Sequence, residues 1–156
     1  QTLETQRKAT TTNRQVPAFT FAYNHTLFAQ RVHDVLSLIS FVAHDEHGPE
    51  KVILVGTGGA GPVAATAGAL AGEAVQLAII DTEGFRFKSI TSYLDPQFFP
   101  GVIKYGDLPA ILALNVPRPL VLIGEETVPR KTEYLYGKTS QQVRLSKSII
   151  EALTGS

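Results

Sequence analysis

The most informative stretch of this sequence is "KVILVGTGGAGPVAATAGALAGEAVQLAIID", residues 51–81. An apolar run leads into a glycine-rich segment at 56–61, an alanine-rich stretch follows, and a second apolar run ends at Asp81. Short apolar runs rich in β-branched residues are typical of strands buried on both faces of a parallel sheet, and small residues between them suit a helix packed closely on that sheet. The stretch therefore predicts a strand, a tight turn, a helix and a second strand.

The sequence on either side continues this alternation. The other predicted elements are a strand at 18–23, an amphipathic helix at 25–43, an irregular stretch at 82–106, a short helix at 107–115, a buried strand at 118–125 and a closing amphipathic helix at 140–155. Such alternation predicts an α/β fold, a three-layer sandwich with a mostly parallel sheet and right-handed crossovers. We expect residues 17–156 to form this domain, and the polar, threonine-rich residues 1–16 to be a linker or arm.

Composition and charge narrow the classes of function. The chain of 156 residues has 14 basic and 14 acidic side chains, so no charge excess indicates a nucleic-acid partner. It has no cysteine, which excludes disulfides, thiolate nucleophiles and cysteine-bound metals. No apolar run has the length of a membrane span, and the polar N-terminus is not that of a signal peptide. We therefore expect a globular domain with neither a nucleic-acid nor a membrane partner.

A glycine-rich turn between a strand and a helix has two interpretations. It can bring a phosphate group to backbone N–H groups at the helix N-terminus, or it can be the strained elbow that raises a nucleophile above a hydrolase sheet. Gly56, Gly58 and Gly61 match the G-x-G-x-x-G motif of dinucleotide-binding domains, and Asp81 ends the next strand, where it could meet a ribose hydroxyl. Against this first interpretation, a strand and a long helix precede the motif, and only one convincing buried strand follows Asp81.

The elbow interpretation accounts for more of the chain. "LVGTGGAG" resembles the elbow of α/β-hydrolases, in which a Gly, any residue, the nucleophilic Ser, any residue and a second Gly follow a strand. Gly56 matches the first Gly, and Gly58 stands at the position of the Ser. Gly59 matches the residue whose backbone N–H helps to form the oxyanion hole. Ala60 stands at the second Gly, with Gly61 just beyond it.

The resemblance extends to "FTFAYNHTLFAQRVHDVLSLISF", "GFRF" and "DPQFFPGVIKYGDLPAILAL". With the elbow, these segments are similar to the second, degenerate half of large acetyl xylan esterase-like proteins, in the dienelactone hydrolase neighbourhood of the superfamily. The similarity covers roughly residues 18–125, and its distinctive parts are Tyr23-Asn24, Arg31-Val32-His33-Asp34, Pro100-Gly101 and Lys104-Tyr105-Gly106. It implies the second half of an α/β-hydrolase fold and favours a secreted or periplasmic protein.

The resemblance also implies that catalytic groups are missing. Hydrolysis by this fold needs a nucleophile, a base and an acid that orients the base. Gly58 offers no nucleophile, and no histidine follows His47, although the base comes after the acid in chain order. Only the acid position is filled, by Glu125 or Glu126. We therefore expect a hydrolase-like domain without catalysis, with an active ester hydrolase completed by another segment or chain as the alternative.

What remains of such a site is a place to bind a ligand. The backbone N–H groups of Gly58 and Gly59 at a helix N-terminus suit a small anionic or acyl ligand, and Asp81 is a third ligand-binding candidate. No cofactor is predicted.

Each candidate also has a purely structural interpretation. Glu125 and Glu126 are then solvated carboxylates at a strand end, and Asp81 is the cap of a turn. Lys104 and Tyr105 could form a proton-transfer pair, but a packed aromatic ring beside a surface lysine is the simpler expectation.

The histidines have structural interpretations too. A solvated helix face is expected for Arg31, His33 and Asp34, and a polar turn without a metal for His44, Asp45, Glu46 and His47. The hydrophobic strand at 18–23 leaves a bare sheet edge, which another strand has to cover. The expected partner is therefore the remainder of a larger hydrolase or a second copy of the chain.

Overall fold

The computed structural model describes residues 24–154, and within them four parallel strands form one sheet. The strands are β1 (Ile53–Gly56), β2 (Leu77–Asp81), β3 (Leu120–Ile123) and β4 (Val143–Leu145), and they lie in the order β1-β2-β3-β4. Gly56 is in register with Ile80, and Asp81 with Ile123. The predicted α/β fold with a parallel sheet is confirmed at this level. The predicted arm at 1–16 and strand at 18–23 lie outside the described residues.

Five α-helices connect and flank these strands in the described part of the chain. They are α1 (Leu27–Ala43), α2 (Gly61–Leu70), α3 (Asp107–Ala113), α4 (Arg130–Tyr136) and α5 (Ile149–Thr154). The Thr26 side chain caps α1 by accepting a hydrogen bond from the backbone N–H of Ala29 at 3.2 Å. Pro62 stands in the first turn of α2, where its missing N–H costs nothing.

Strands β2 and β3 bury apolar side chains on both faces of the sheet. The prediction of a strand buried on both faces is wrong for β1, where Ile53 and Val55 are 37% and 38% exposed. On one face, Ala78, Ile80, Leu120 and Leu122 belong to the larger core, which includes residues of α1, α2, α3 and α4. On the other face, Ile79, Val121 and Ile123 form a smaller cluster with Ala152 of α5. Alternate residues of one strand enter different clusters because successive side chains of a strand point to opposite faces.

Aromatic contacts hold the irregular stretch at 82–106 against this core. Phe99 stacks on Phe28 of α1 with ring centroids 4.9 Å apart, and Phe87 meets Phe28 edge-to-face at 5.3 Å. Phe87 lies in a short 3-10 turn, Phe87–Ser89, and a second such turn follows at Val102–Tyr105. The stretch is irregular in backbone but has a defined place beside the sheet.

The C-terminal region corrects one prediction. The predicted single amphipathic helix at 140–155 is wrong, because Val143–Leu145 is a strand and, among the described residues 140–154, only Ile149–Thr154 is helical. Pairing with β3 satisfies the backbone here: Leu120 N–H donates to the Gln142 carbonyl at 3.1 Å, and Ser146 N–H to the Leu122 carbonyl at 2.9 Å. The helix begins late because the Ser148 hydroxyl accepts a hydrogen bond from the Glu151 N–H at 3.2 Å.

Candidate functional site

The glycine-rich turn lies at the carboxyl end of β1, directly before α2. The Ala60 N–H donates to the Thr57 carbonyl at 3.0 Å, which closes the turn. Gly58 and Gly59 between them have φ angles of 58° and 82°, in the left-handed region. A positive φ at Gly58 is what the elbow interpretation predicts. No other atom lies within 4 Å of the place where a Cβ of either residue would be, so the tip of the turn is open.

Two other glycines of the motif, Gly56 and Gly61, allow close packing between α2 and the strands. A Cβ on Gly61 would lie 1.9 Å from the carbonyl oxygen of Asp81, and a Cβ on Gly56 would lie 2.5 Å from the Cβ of Ala64. The first turn of α2 therefore rests directly on the ends of β1 and β2. This contact requires glycine whatever the turn binds.

Gln97 reaches this turn from the irregular stretch and was not predicted. Its Nε2 donates to the Gly59 carbonyl at 2.7 Å, and its backbone N–H donates to Asp95 Oδ1 at 2.7 Å. Gln97 Oε1 is buried and has no hydrogen-bond partner. The Asp95-Pro96 pair indicates a turn in the sequence, but not that the next side chain would reach a glycine 38 residues away.

The acid position after β3 holds a buried ion pair. Arg86 binds Glu125 through both guanidinium ends, with Nη1 2.8 Å from Oε1 and Nη2 2.7 Å from Oε2. The Thr82 hydroxyl donates to the same Oε1 at 2.6 Å. The Glu125 side chain is only 6% exposed and that of Arg86 25%. The expectation of a solvated carboxylate at Glu125 was wrong, whereas Glu126 is exposed.

The surroundings of Glu125 set its charge. Burial by itself would raise the pKa of its carboxyl group, but the hydrogen bonds from Arg86 and Thr82, with the charge of Arg86, outweigh this and hold the pKa below its usual value. Glu125 is therefore an ionised carboxylate whose oxygens are already bonded. A carboxylate in this state is poorly placed to orient an imidazole as well.

Asp81 is engaged in the turn that follows β2. Its Oδ1 accepts a hydrogen bond from the Glu83 N–H at 3.0 Å, and Glu83 has a left-handed φ of 48°. The same Oδ1 lies 2.8 Å from the place that a Cβ of Gly124, after β3, would take. The side chain is thus directed toward β3 and away from the glycine-rich turn after β1. This supports the expected turn cap, and a ligand-binding role for Asp81 stays a prediction.

The remaining candidates lie apart from the turn. His33 and Asp34 are exposed on α1, as expected of a solvated face. His44 Nδ1 lies 2.8 Å from the Ser40 carbonyl oxygen, and the exposed His47 ring is 3.8 Å from Asp45. In residues 24–154 no group of three or more potential ligands is placed to hold a metal ion.

The expectation of a packed aromatic ring at position 105 was wrong. Tyr105 is 73% exposed, and the Lys104 ammonium lies 5.8 Å from its ring centroid.

Two buried charged residues were missed by the sequence analysis. Asp107 accepts hydrogen bonds at Oδ1 from the N–H groups of Phe87 and Leu108 and at Oδ2 from that of Lys88, so it ties the 3-10 turn to α3. Arg118 donates to the Gly68 carbonyl in the last turn of α2 and to the Val75 carbonyl just before β2. Burial lowers the pKa of Arg118 from its ordinary value. Both residues stabilise loops that surround the sheet.

Comparison of this chain with protein-family models, with curated proteins and with solved structures finds no match. None of the helices within 24–154 has the length and apolar character needed to cross a membrane. The case for a function therefore depends on the geometry of the glycine-rich turn and of the acid position.

Proposed function

We propose that this chain is a non-catalytic α/β-hydrolase-like domain, the second half of that fold, which belongs to or supports a larger esterase-like protein. The observation that carries the proposal is that Gly58, which matches the nucleophile's position in the sequence motif, lies at the open tip of the turn with a φ of 58°. A positive φ at the tip suits an elbow, and a glycine there has no side-chain oxygen to attack an acyl group.

The order of the other groups supports the same proposal. In this fold the nucleophile, the acid and the histidine follow one another along the chain. Here the turn follows β1 and Glu125 follows β3, but residues 146–148 after β4 are Ser-Lys-Ser, and no histidine occurs beyond His47. Arg86 forms an ion pair with Glu125, whereas the acid of an active hydrolase binds the histidine base. Of the three catalytic positions, only the acid position is occupied, and its carboxylate binds an arginine instead of a histidine.

The remaining function of the turn is to bind a small acyl or carboxylate group. Gly58 and Gly59 are exposed and directly precede Ala60, the N-cap residue of α2, where the helix dipole favours a negative charge. Acetate titration followed by backbone amide shifts tests this directly. We expect the Gly58 and Gly59 signals to move together and to saturate, while the signals of the exposed Gly72 stay in place.

Purified chain should not hydrolyse 4-nitrophenyl acetate faster than a heat-inactivated sample, and a fluorophosphonate probe should leave it unlabelled, because both reactions need an activated nucleophile. The Glu125→Gln variant should give the same background rate as the parent. Turnover that this variant or Gly58→Ala abolishes would overturn the proposal and favour an active hydrolase completed from elsewhere.

A dinucleotide-binding domain is the second candidate, because the motif glycines do lie in a β1–α2–β2 unit and Asp81 does end β2. The Asp81–Glu83 hydrogen bond argues for a structural role instead. We expect Asp81→Ala to lower the free energy of unfolding by about 1 kcal/mol through loss of this bond. Calorimetry should detect no NAD binding to the parent or to Asp81→Ala. Asp34→Ala, at an exposed site, is the control for the loss of stability. Saturable micromolar binding that Asp81→Ala weakens would reverse the ranking.

A further inference from the structure

A cleft opens between α3 and α4, and no residue of the glycine-rich turn lines it. Its volume is about 380 Å³, within the size range of pockets that hold small organic molecules. The floor is apolar and includes Ala110 and Ile111 of α3 and Leu135 of α4. The cleft is therefore a second place where this chain could hold a ligand.

Two tyrosines stand at the rim of this cleft. Tyr105 is 73% exposed and Tyr134 is 62% exposed, and Leu114, also at the rim, is 61% exposed. The Lys138 ammonium lies 4.2 Å from the Tyr134 ring centroid. Large side chains that gather around a concavity while remaining exposed mark a binding surface. Flat phenol rings in particular offer faces on which another aromatic ring can stack.

Lys131 brings a positive charge to the cleft. Its Nζ lies 2.0 Å from the place where a Cβ of residue 106 would be, so the absence of a side chain at Gly106 lets the ammonium fold over the turn before α3. No carboxylate within 24–154 forms an ion pair with Lys131. The one acid in the lining, Asp107, has both oxygens bonded to backbone N–H groups. The cation is thus available to a ligand.

We propose that this cleft binds a small aromatic carboxylate, with the ring on the apolar floor beside the exposed Tyr105 and Tyr134 and the carboxylate on Lys131. An apolar floor excludes a strongly hydrated ligand, and an unpaired ammonium at the rim favours an anion. The phenol rings select a flat apolar body over a branched one. This site is independent of the function proposed for Gly58 and Gly59.

Calorimetric titration of the full chain with 2-naphthoate tests the site, with the neutral 2-naphthamide as the matched ligand. We expect saturable binding of one naphthoate and binding of the amide that is roughly tenfold weaker, the effect of losing one charge-assisted hydrogen bond. Lys131→Gln should weaken naphthoate binding by a similar factor and leave binding of the amide unchanged. The control Lys147→Gln, outside the cleft, should change neither.

Two further variants separate the cleft from nonspecific binding. Ala110→Leu fills the floor and should abolish binding. Tyr134→Ala removes an exposed ring without disturbing the core and should weaken binding. Equal affinity for naphthoate and naphthamide would overturn the proposal. Naphthoate binding that survives in both variants would also overturn it. So would the absence of saturable naphthoate binding to the parent, and saturable binding of an acidic, aromatic peptide in its place would make the cleft a protein-docking surface.

Discussion

Replacing Gly61 by alanine should destabilise the protein by about 3 kcal/mol, the upper part of the range for overpacking a tight contact. The added Cβ would lie 1.9 Å from the Asp81 carbonyl oxygen and 2.9 Å from its carbon, and both are backbone atoms. Asp81 cannot move aside easily because β2 is paired with β1 on one side and β3 on the other. Urea unfolding followed by circular dichroism measures the loss.

Gly58→Ala is the matched control for this variant. No atom lies within 4 Å of its added Cβ, so the only cost is the left-handed φ of 58°, roughly 1 kcal/mol for an alanine. The two glycines belong to one motif but are required for different reasons. Equal losses of stability in the two variants would show that α2 does not rest on the end of β2 as closely as described.

The sequence predicts the centre of this fold well, since the relevant signals are local. Residues 51–81 form the strand, turn, helix and strand that the apolar and glycine-rich runs indicate. The apolar periodicity at 25–43 corresponds to α1, and the run at 118–125 contains β3. In most of these segments, burial of the side chains and local backbone preference favour the same structure. The exception is β1, where Ile53 and Val55 stay more than a third exposed.

The C-terminal region was harder to predict because two elements share one apolar pattern. Val143 and Leu145 alternate with Arg144, which suits a strand, but the following Ile149 and Ile150 extend the pattern into a helical one. The spacing of Ser148 and Glu151 was the available signal, because a serine three residues before a glutamate marks a helix start. The helix Arg130–Tyr136 was not predicted at all.

The candidate site depends on contacts that no local pattern encodes. Glu125 stands at the expected acid position, but its partner Arg86 is 39 residues away in an irregular stretch. The segment "GFRF" entered the sequence analysis only through a resemblance, and nothing in it indicates that the arginine faces β3. Such a pair forms when the turn after β2 and the turn after β3 meet at one end of the sheet.

Removing Arg86 should strongly destabilise the protein. Arg86→Met leaves Glu125, whose side chain is 6% exposed, as a buried carboxylate without its cation. Breaking such a pair costs about 3 kcal/mol at neutral pH, the lower end of the usual range because Arg86 is partly exposed. The double variant Arg86→Met with Glu125→Gln should recover much of this loss, and Glu126→Gln, at the exposed neighbour, should cost almost nothing.

The pH dependence identifies the cause of that loss. In the parent, Arg86 and Thr82 hold the pKa of Glu125 below its usual value, so the stabilisation is present above about pH 4.3 and is lost as the pH falls through the lowered pKa. In Arg86→Met, burial dominates and raises the pKa of Glu125, so protonation on acidification stabilises the fold. The difference in unfolding free energy between the two proteins should therefore shrink between about pH 7 and about pH 4. A difference that stays constant over this range would mean that Arg86 acts through the contacts of its aliphatic stem and not through its charge.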